Sequence, residues 1–203
     1  MLTRDWYEKI YSAGNSKPSW DIGRPHCGIT ELLDDGRLSR GRVLVPGCGL
    51  GRDAILLAER GFEVVVFDFS IHAIRRAKQN LRERRGLKID FVVEDIYILP
   101  ESYHGAFDYV VEIGNFQAMS VKERRNYVRV MHQVLTPRGK CIVICKKYPP
   151  LTPGPPGLKK ASLASYFSTG FKVEAIDPVL MYRDRPPRDG LRLIGSRRKR
   201  IIK

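Results

Sequence analysis

The segment Glu63-Val-Val-Val-Phe-Asp68 constrains this fold more than any other part of the sequence. Four apolar residues follow one another with no polar alternation, so the strand they form has to be buried on both faces. That situation is characteristic of parallel sheets covered by helices on either side. Elsewhere in the chain, short β-branched runs alternate with segments of helical periodicity, the pattern of an α/β fold.

Arg42-Val-Leu-Val-Pro46 reads as the first strand, followed by a helix from Asp53 to Arg60 that Gly61 ends. Ser70 caps a helix with Ala73, Ile74, Ala77 and Leu81 on its apolar face. Ile89–Val93 and Phe107–Glu112 are the third and fourth strands. Ser120 and Glu123 form a capping box for a helix that Thr136-Pro-Arg-Gly139 terminates, and Lys140–Lys146 is the fifth strand. The Pro/Gly-rich stretch Tyr148–Gly157 is a loop, and a short helix lies around Ser162–Phe167. Lys172–Met181 and Leu191–Arg197 are two last strands, joined by a link too short for a helical crossover, so they pair antiparallel. Five parallel strands closed by an antiparallel hairpin depart from a dinucleotide-binding sheet, which continues with another parallel unit.

Composition narrows the function classes. The chain has 203 residues, 43% of them hydrophobic, which suits a single ordered domain with a sizeable core. No apolar run reaches the roughly 20 residues needed to cross a bilayer. The start, Met1-Leu-Thr-Arg-Asp-Trp6, has no basic-then-apolar leader, so the expected location is cytoplasmic, with no membrane partner. None of Cys27, Cys48, Cys141 and Cys145 forms a Cys-x-x-Cys pair. Cys141 and Cys145 lie four residues apart on a strand, a span of about 13 Å that no single metal ion bridges, so no metal site is expected.

The net charge is +14, from 36 Lys+Arg against 22 Asp+Glu. Half of the excess lies between Arg183 and Lys203, and a second concentration, Arg75 to Lys88, is read along one helix. Such a balance makes a nucleic-acid partner possible, and a solvated surface explains it equally well.

The main chemical signal is Pro46-Gly47-Cys48-Gly49-Leu50-Gly51-Arg52-Asp53, between a strand and a helix. Alternate glycines let the backbone turn tightly and approach a ligand, although a structural turn alone could use them. Arg52 stands where a pyrophosphate-binding loop needs its last glycine, which weakens a dehydrogenase reading. Asp68, 21 residues past Gly47, ends the second strand, where a carboxylate can accept from both hydroxyls of a ribose. Asp95, just past the third strand, can accept from an exocyclic amine such as adenine's. All three features lie at carboxyl ends of strands, where open α/β sheets bind ligands, and together they indicate an adenosine-containing cofactor.

With these residues assembled, the chain resembles a class I S-adenosylmethionine-dependent methyltransferase over roughly residues 5–197. The resemblance implies a seven-stranded Rossmann-like methyltransferase sheet with a C-terminal antiparallel hairpin. It implies S-adenosylmethionine as cofactor, held by Gly47, Cys48, Gly49, Gly51, Asp53, Asp68, Phe69, Asp95, Ile96 and Glu112. Val45-Pro46-Gly47-Cys48-Gly49 followed by Gly51-x-Asp53 is similar to the thiopurine and thiol/halide methyltransferase branch, with tellurite-resistance methyltransferases as close relatives. The segment Trp20-Asp21-Ile-Gly-Arg-Pro-His26 resembles that branch's entry segment, which places Trp20 near the cofactor.

Where thiopurine enzymes carry Asp-Arg-Gly after the fourth strand, this chain has Glu112-Ile113-Gly114, which argues against drug-like thiopurines as acceptors. An amino-directed Asn/Asp-Pro-Pro-Tyr/Phe motif is missing too. The implied activity is methyl transfer to a small soft nucleophile: a thiol, a halide, or a selenium or tellurium oxyanion. The alternatives are methylation of RNA or protein through the basic surface, and a non-catalytic cofactor-binding regulatory module.

Tyr11, His26, Phe116 and Tyr182 are candidate substrate-side residues, and Trp6, Tyr7, Tyr11 and Trp20 a candidate aromatic lid. Of the four scattered histidines only His26 borders the expected pocket, and no catalytic base is assigned. The expected organisation is one methyltransferase domain over 1–203, with 1–40 a lid, 41–197 the core and 198–203 a basic tail. A monomer or homodimer is expected.

Overall fold

A computed structural model describes residues 3–13, 18–82, 84, 86–151, 154–181 and 189–199. The strands form one seven-stranded sheet in the order β3-β2-β1-β4-β5-β7-β6. The residues cluster into two units, Met1–Ile98 and Leu99–Lys203.

In the first unit, β1 (Arg42–Pro46), β2 (Glu63–Asp68) and β3 (Ile89–Val93) pair in parallel, β1 with β2 and β2 with β3. Five successive residues of β2, from Val64 to Asp68, are buried, as its unbroken apolar run requires. Four helices accompany these strands: α1 (Arg4–Ser12), α2 (Cys27–Asp34), α3 (Arg52–Glu59) and α4 (Ile71–Leu81). Ser70 caps α4 by accepting from the Ala73 amide at 3.1 Å, and Ala73, Ile74 and Ala77 are its buried face. The basic run read along one helix is shorter than expected as a helical feature. α4 ends at Leu81, so Arg82, Arg84 and Lys88 lie beyond it, with Arg82 at the C-cap.

The second unit pairs β4 (Phe107–Ile113) in parallel with β5 (Leu135–Lys146). β7 (Gly190–Arg197) runs antiparallel to β5 and to β6 (Phe171–Val179), lying between them as the closing hairpin. The Ser120–Glu123 capping box opens α5 (Val121–Val134). The helix then passes into β5 without an intervening turn, which corrects the expected strand start at Lys140. Leu135 pairs with Phe107 and regular pairing resumes only at Lys140 with Tyr109, so 136–139 bulge out of the ladder. α6 (Lys160–Phe167) precedes β6. Cys141 and Cys145 are buried in β5 as free thiols.

Candidate functional site

The glycine loop at the end of β1 is tied to the end of β2 by its own backbone. The amides of Gly47 and Cys48 both donate to the Phe67 carbonyl, at 2.6 and 3.3 Å. Gly47, Gly49 and Gly51 all have positive φ, at 60°, 53° and 75°. Two of these positions also lack room for a side chain. A Cβ on Gly49 would lie 3.0 Å from the Tyr11 hydroxyl, and one on Gly51 would lie 2.9 Å from Ala77 Cβ. Gly51 thus lets α3 start against α4, while Gly49 keeps the loop backbone bare beneath Tyr11.

Asp68 is the electrostatic centre of this unit. Its Oδ2 accepts from the Gly49 amide at 3.1 Å and its Oδ1 from the Ser70 amide at 2.9 Å. Each carboxylate oxygen has a second lone pair, so acceptor capacity for two hydroxyls remains. Burial pushes the carboxyl up to about 6; the two backbone hydrogen bonds act against the rise, and the charge of Glu8 adds to it.

Asp95 and Phe69 meet an unexpected partner. Arg4 of α1 forms an ion pair with Asp95 Oδ2 and places its guanidinium over the Phe69 ring, 5.2 Å from the centroid. Asp95 Oδ1 accepts from the Tyr97 amide at 3.0 Å, and Ile96 lies half-buried in the same turn. A second tie holds α1: the Ser70 hydroxyl donates to Glu8 Oε2 at 2.9 Å. Between these ties the aromatic residues form one cluster. Trp6 and Tyr7 have ring centroids 5.0 Å apart; Trp20 lies 5.6 Å from Trp6, 5.7 Å from Tyr7 and 6.0 Å from Tyr11. Tyr7 reaches Phe69 at 6.1 Å. Tyr11, Leu50 and Ala73 form the buried floor of this cluster. Burial raises the Tyr11 hydroxyl and the Cys48 thiol well above their ordinary ranges, so both stay protonated.

The missing third glycine of the loop has a structural explanation. Arg52 forks onto Asp21, with Nε and Nη2 donating to the two carboxylate oxygens at 2.6 and 3.0 Å, and so fixes the segment that carries Trp20. Asp53 accepts from the His26 amide at 2.7 Å, and burial pushes its carboxyl up to about 6. His26 caps α2: Nδ1 accepts from the Gly28 amide at 3.0 Å, which puts the proton of the neutral ring on Nε2.

Three candidates belong to the second unit. Glu112 is fully buried near the end of β4, with Oε1 accepting from the Phe116 amide at 2.6 Å. Burial pushes its carboxyl up to about 8, against hydrogen bonds from Phe116 and Asn115. Phe116 is fully buried, with Tyr166 and Phe167 at 5.5 and 5.4 Å. Tyr182 lies outside the described residues. Sequence reasoning missed Arg4 and Glu8, whose partners are 91 and 62 residues away.

A sheet closed by an antiparallel β7 between β5 and β6, with a glycine loop after β1 and an acid ending β2, defines a class I S-adenosylmethionine-dependent methyltransferase. The family model described as thiopurine S-methyltransferase matches residues 2–190, and the chain belongs to that family. It is 31% identical over 186 residues to the 2-heptyl-1-hydroxyquinolin-4(1H)-one methyltransferase of Mycobacteroides abscessus, covering 90% of this chain and 80% of that one. It is 30% identical over 198 residues to the probable thiol methyltransferase 2 of Arabidopsis thaliana, covering 95% and 84%. Among solved structures, one determined for the conversion of a disulfide bond into a thioacetal group during echinomycin biosynthesis is similar with a TM-score of 0.82 and 25% identity, covering 97% of this chain and 93% of that one. A glycopeptide N-methyltransferase complexed with S-adenosyl-L-homocysteine shares the fold at a TM-score of 0.73 and 16% identity, covering 97% and 99%.

Proposed function

We propose that this protein methylates a small soft nucleophile, a thiol, a halide ion or a selenium or tellurium oxyanion, and that the first unit carries the cofactor site. The observation that carries the site is the Asp68–Gly49 hydrogen bond, which sets a buried carboxylate against a bare glycine loop. That donor and acceptor set fits a nucleoside: a carboxylate with spare lone pairs for ribose hydroxyls, a loop without side chains, and Asp95, Ile96 and Phe69 for a purine edge and face. S-Adenosylmethionine supplies a methyl group on a sulfonium, so the acceptor's lone pair forms the new bond while the breaking C–S pair leaves as a neutral thioether.

The chain's task is then alignment and exclusion of water, and good alignment is worth roughly 7–11 kcal/mol of a barrier. Trp6, Tyr7, Tyr11 and Trp20 act as the apolar cover. Glu112 and Phe116 are assigned by the family resemblance to the methionine portion and the acceptor. An acceptor that arrives as an anion leaves no proton to remove, so no residue is required as base. The test is transfer of labelled methyl to iodide, hydrosulfide, thiocyanate, small thiols, tellurite, selenite and total RNA in parallel. Label in the small acceptors is expected; label only in RNA would overturn the reading.

A further inference from the structure

Lys146 and Lys147 are neighbours in sequence with opposite surroundings. Lys147 is exposed, while Lys146, the last residue of β5, is only 3% exposed. An enclosed ammonium is costly unless an anion answers it.

The chain is built closely around this side chain. The Lys146 amide donates to Gln117 Oε1, and its carbonyl accepts from the Leu158 amide at 2.8 Å, which pins both ends of the Pro/Gly-rich loop 148–157. Gly154 has φ +116°, and a Cβ there would lie 3.3 Å from Lys146 Nζ, so the loop backbone passes beside the ammonium. At Gly157 a Cβ would collide with the Lys147 carbonyl oxygen. Asp189, itself only 4% exposed and with Oδ1 accepting from the Met181 amide at 3.0 Å, is near enough for its negative charge to act on Lys146. Burial pulls the Lys146 ammonium down from its ordinary range, and Asp189 acts against that fall. The buried carboxyl on the adjacent strand, Glu112, is held mostly protonated at neutral pH, so it does not cancel the positive charge.

Resting on the function proposed above, we infer that Lys146 is the specificity-determining residue of the acceptor site and selects ionised soft nucleophiles, such as thiolates, thiocyanate and halides, over neutral ones. Open α/β sheets bind ligands outside the carboxyl ends of their strands, and Lys146 is the cation at the carboxyl end of β5. In a sheltered setting one such charge attracts an anion far more strongly than it does in water. The acceptor anion competes with the charge of Asp189 for the ammonium.

Three variants and two readouts test this. In Lys146→Met, which retains an apolar stem, the ratio of kcat/KM for thiocyanate to that for neutral dimethyl selenide falls at least tenfold; Lys146→Arg restores most of it. Asp189→Asn keeps the oxygen that accepts from Met181 but removes the competing charge, so the KM for thiocyanate drops severalfold. Independently of turnover, calorimetry of thiocyanate into the S-adenosylhomocysteine complex shows at least tenfold weaker binding to Lys146→Met than to wild type. Equal loss on charged and neutral acceptors, unchanged thiocyanate binding, or weaker binding in Asp189→Asn would each overturn the assignment. Wild-type protein that binds thiocyanate through Lys146 yet methylates no soft acceptor would sink the proposed function and leave the Lys146 assignment standing.

Discussion

Asp68 and Gly49 are joined across 19 residues by a 3.1 Å hydrogen bond from the glycine amide to a carboxylate oxygen. One acid therefore shapes the loop and remains available to a ligand. Asp68→Ala removes a charged acceptor from the Gly49 and Ser70 amides and from the proposed ribose site. Hydrogen bonds to charged groups are worth about 1.5–3 kcal/mol each, so cofactor affinity falls tenfold or more. Calorimetry with S-adenosylhomocysteine measures this, and wild-type affinity in the variant would contradict the assignment.

The same residue sets a pH dependence. Asp68 ionises in the free protein at about 6, above the ordinary aspartate range, because it is buried. Bound hydroxyls donate to the ionised form and lower that value, so binding releases a proton wherever the free carboxyl is protonated. Affinity should be flat above about pH 7 and fall progressively as pH drops through 6. Titrations from pH 5 to 8 check it, and a curve that rises on acidification contradicts it.

Gly51 combines a φ of 75° with a prospective 2.9 Å approach to Ala77 Cβ. Gly51→Ala therefore adds backbone strain of about 1–3 kcal/mol to a steric clash. The double variant with Ala77→Gly relieves the clash and leaves the strain, so urea denaturation should show partial recovery.

Glu112 links folding to pH between the ordinary glutamate range and about 8. Its carboxyl is pushed up to about 8, so between the ordinary glutamate value and 8 the folded chain holds a proton that the unfolded chain has lost. This residue's contribution thus makes stability decline as pH rises, by up to about 1.4 kcal/mol per pH unit, with the penalty complete above 8. Glu112→Gln should flatten that slope in denaturation curves recorded from pH 5 to 9.

Arg52 holds Asp21 by a two-pronged contact, and Asp21 follows Trp20. Arg52→Lys keeps the charge and loses the fork. With both tryptophans of the chain, Trp6 and Trp20, in one cluster, intrinsic fluorescence should shift in the variant and its cofactor affinity should weaken. An unchanged spectrum would show that the fork does not order the segment.

Much of this was readable because it is local. The strand periods, the Ser70 cap and the Ser120–Glu123 box each involve residues within a few positions, where spacing translates directly into geometry. The basic run past Leu81 misled because charge suits a helix surface and a solvated loop alike. The bulge at 136–139 escaped notice because its cause is the pairing of Leu135 with Phe107, far away in sequence. The nearness of the glycine loop to Asp68 was legible because strand ends and loop spacing place them without long-range information, and Gly49 and Asp68 are indeed hydrogen-bonded.

The amino-acid sequence by itself determined the seven strands, though not the start of β5, the helices α3 to α6, the antiparallel close and the acid that follows the glycine loop, because these depend on backbone preference and on burial period. Only the tertiary structure decided that Arg4 meets Asp95, that Arg52 forks onto Asp21 and that Lys146 is enclosed while Lys147 is not. A side chain's charge is written in the sequence. Its partner and its share of water are set by whichever distant segments fold against it.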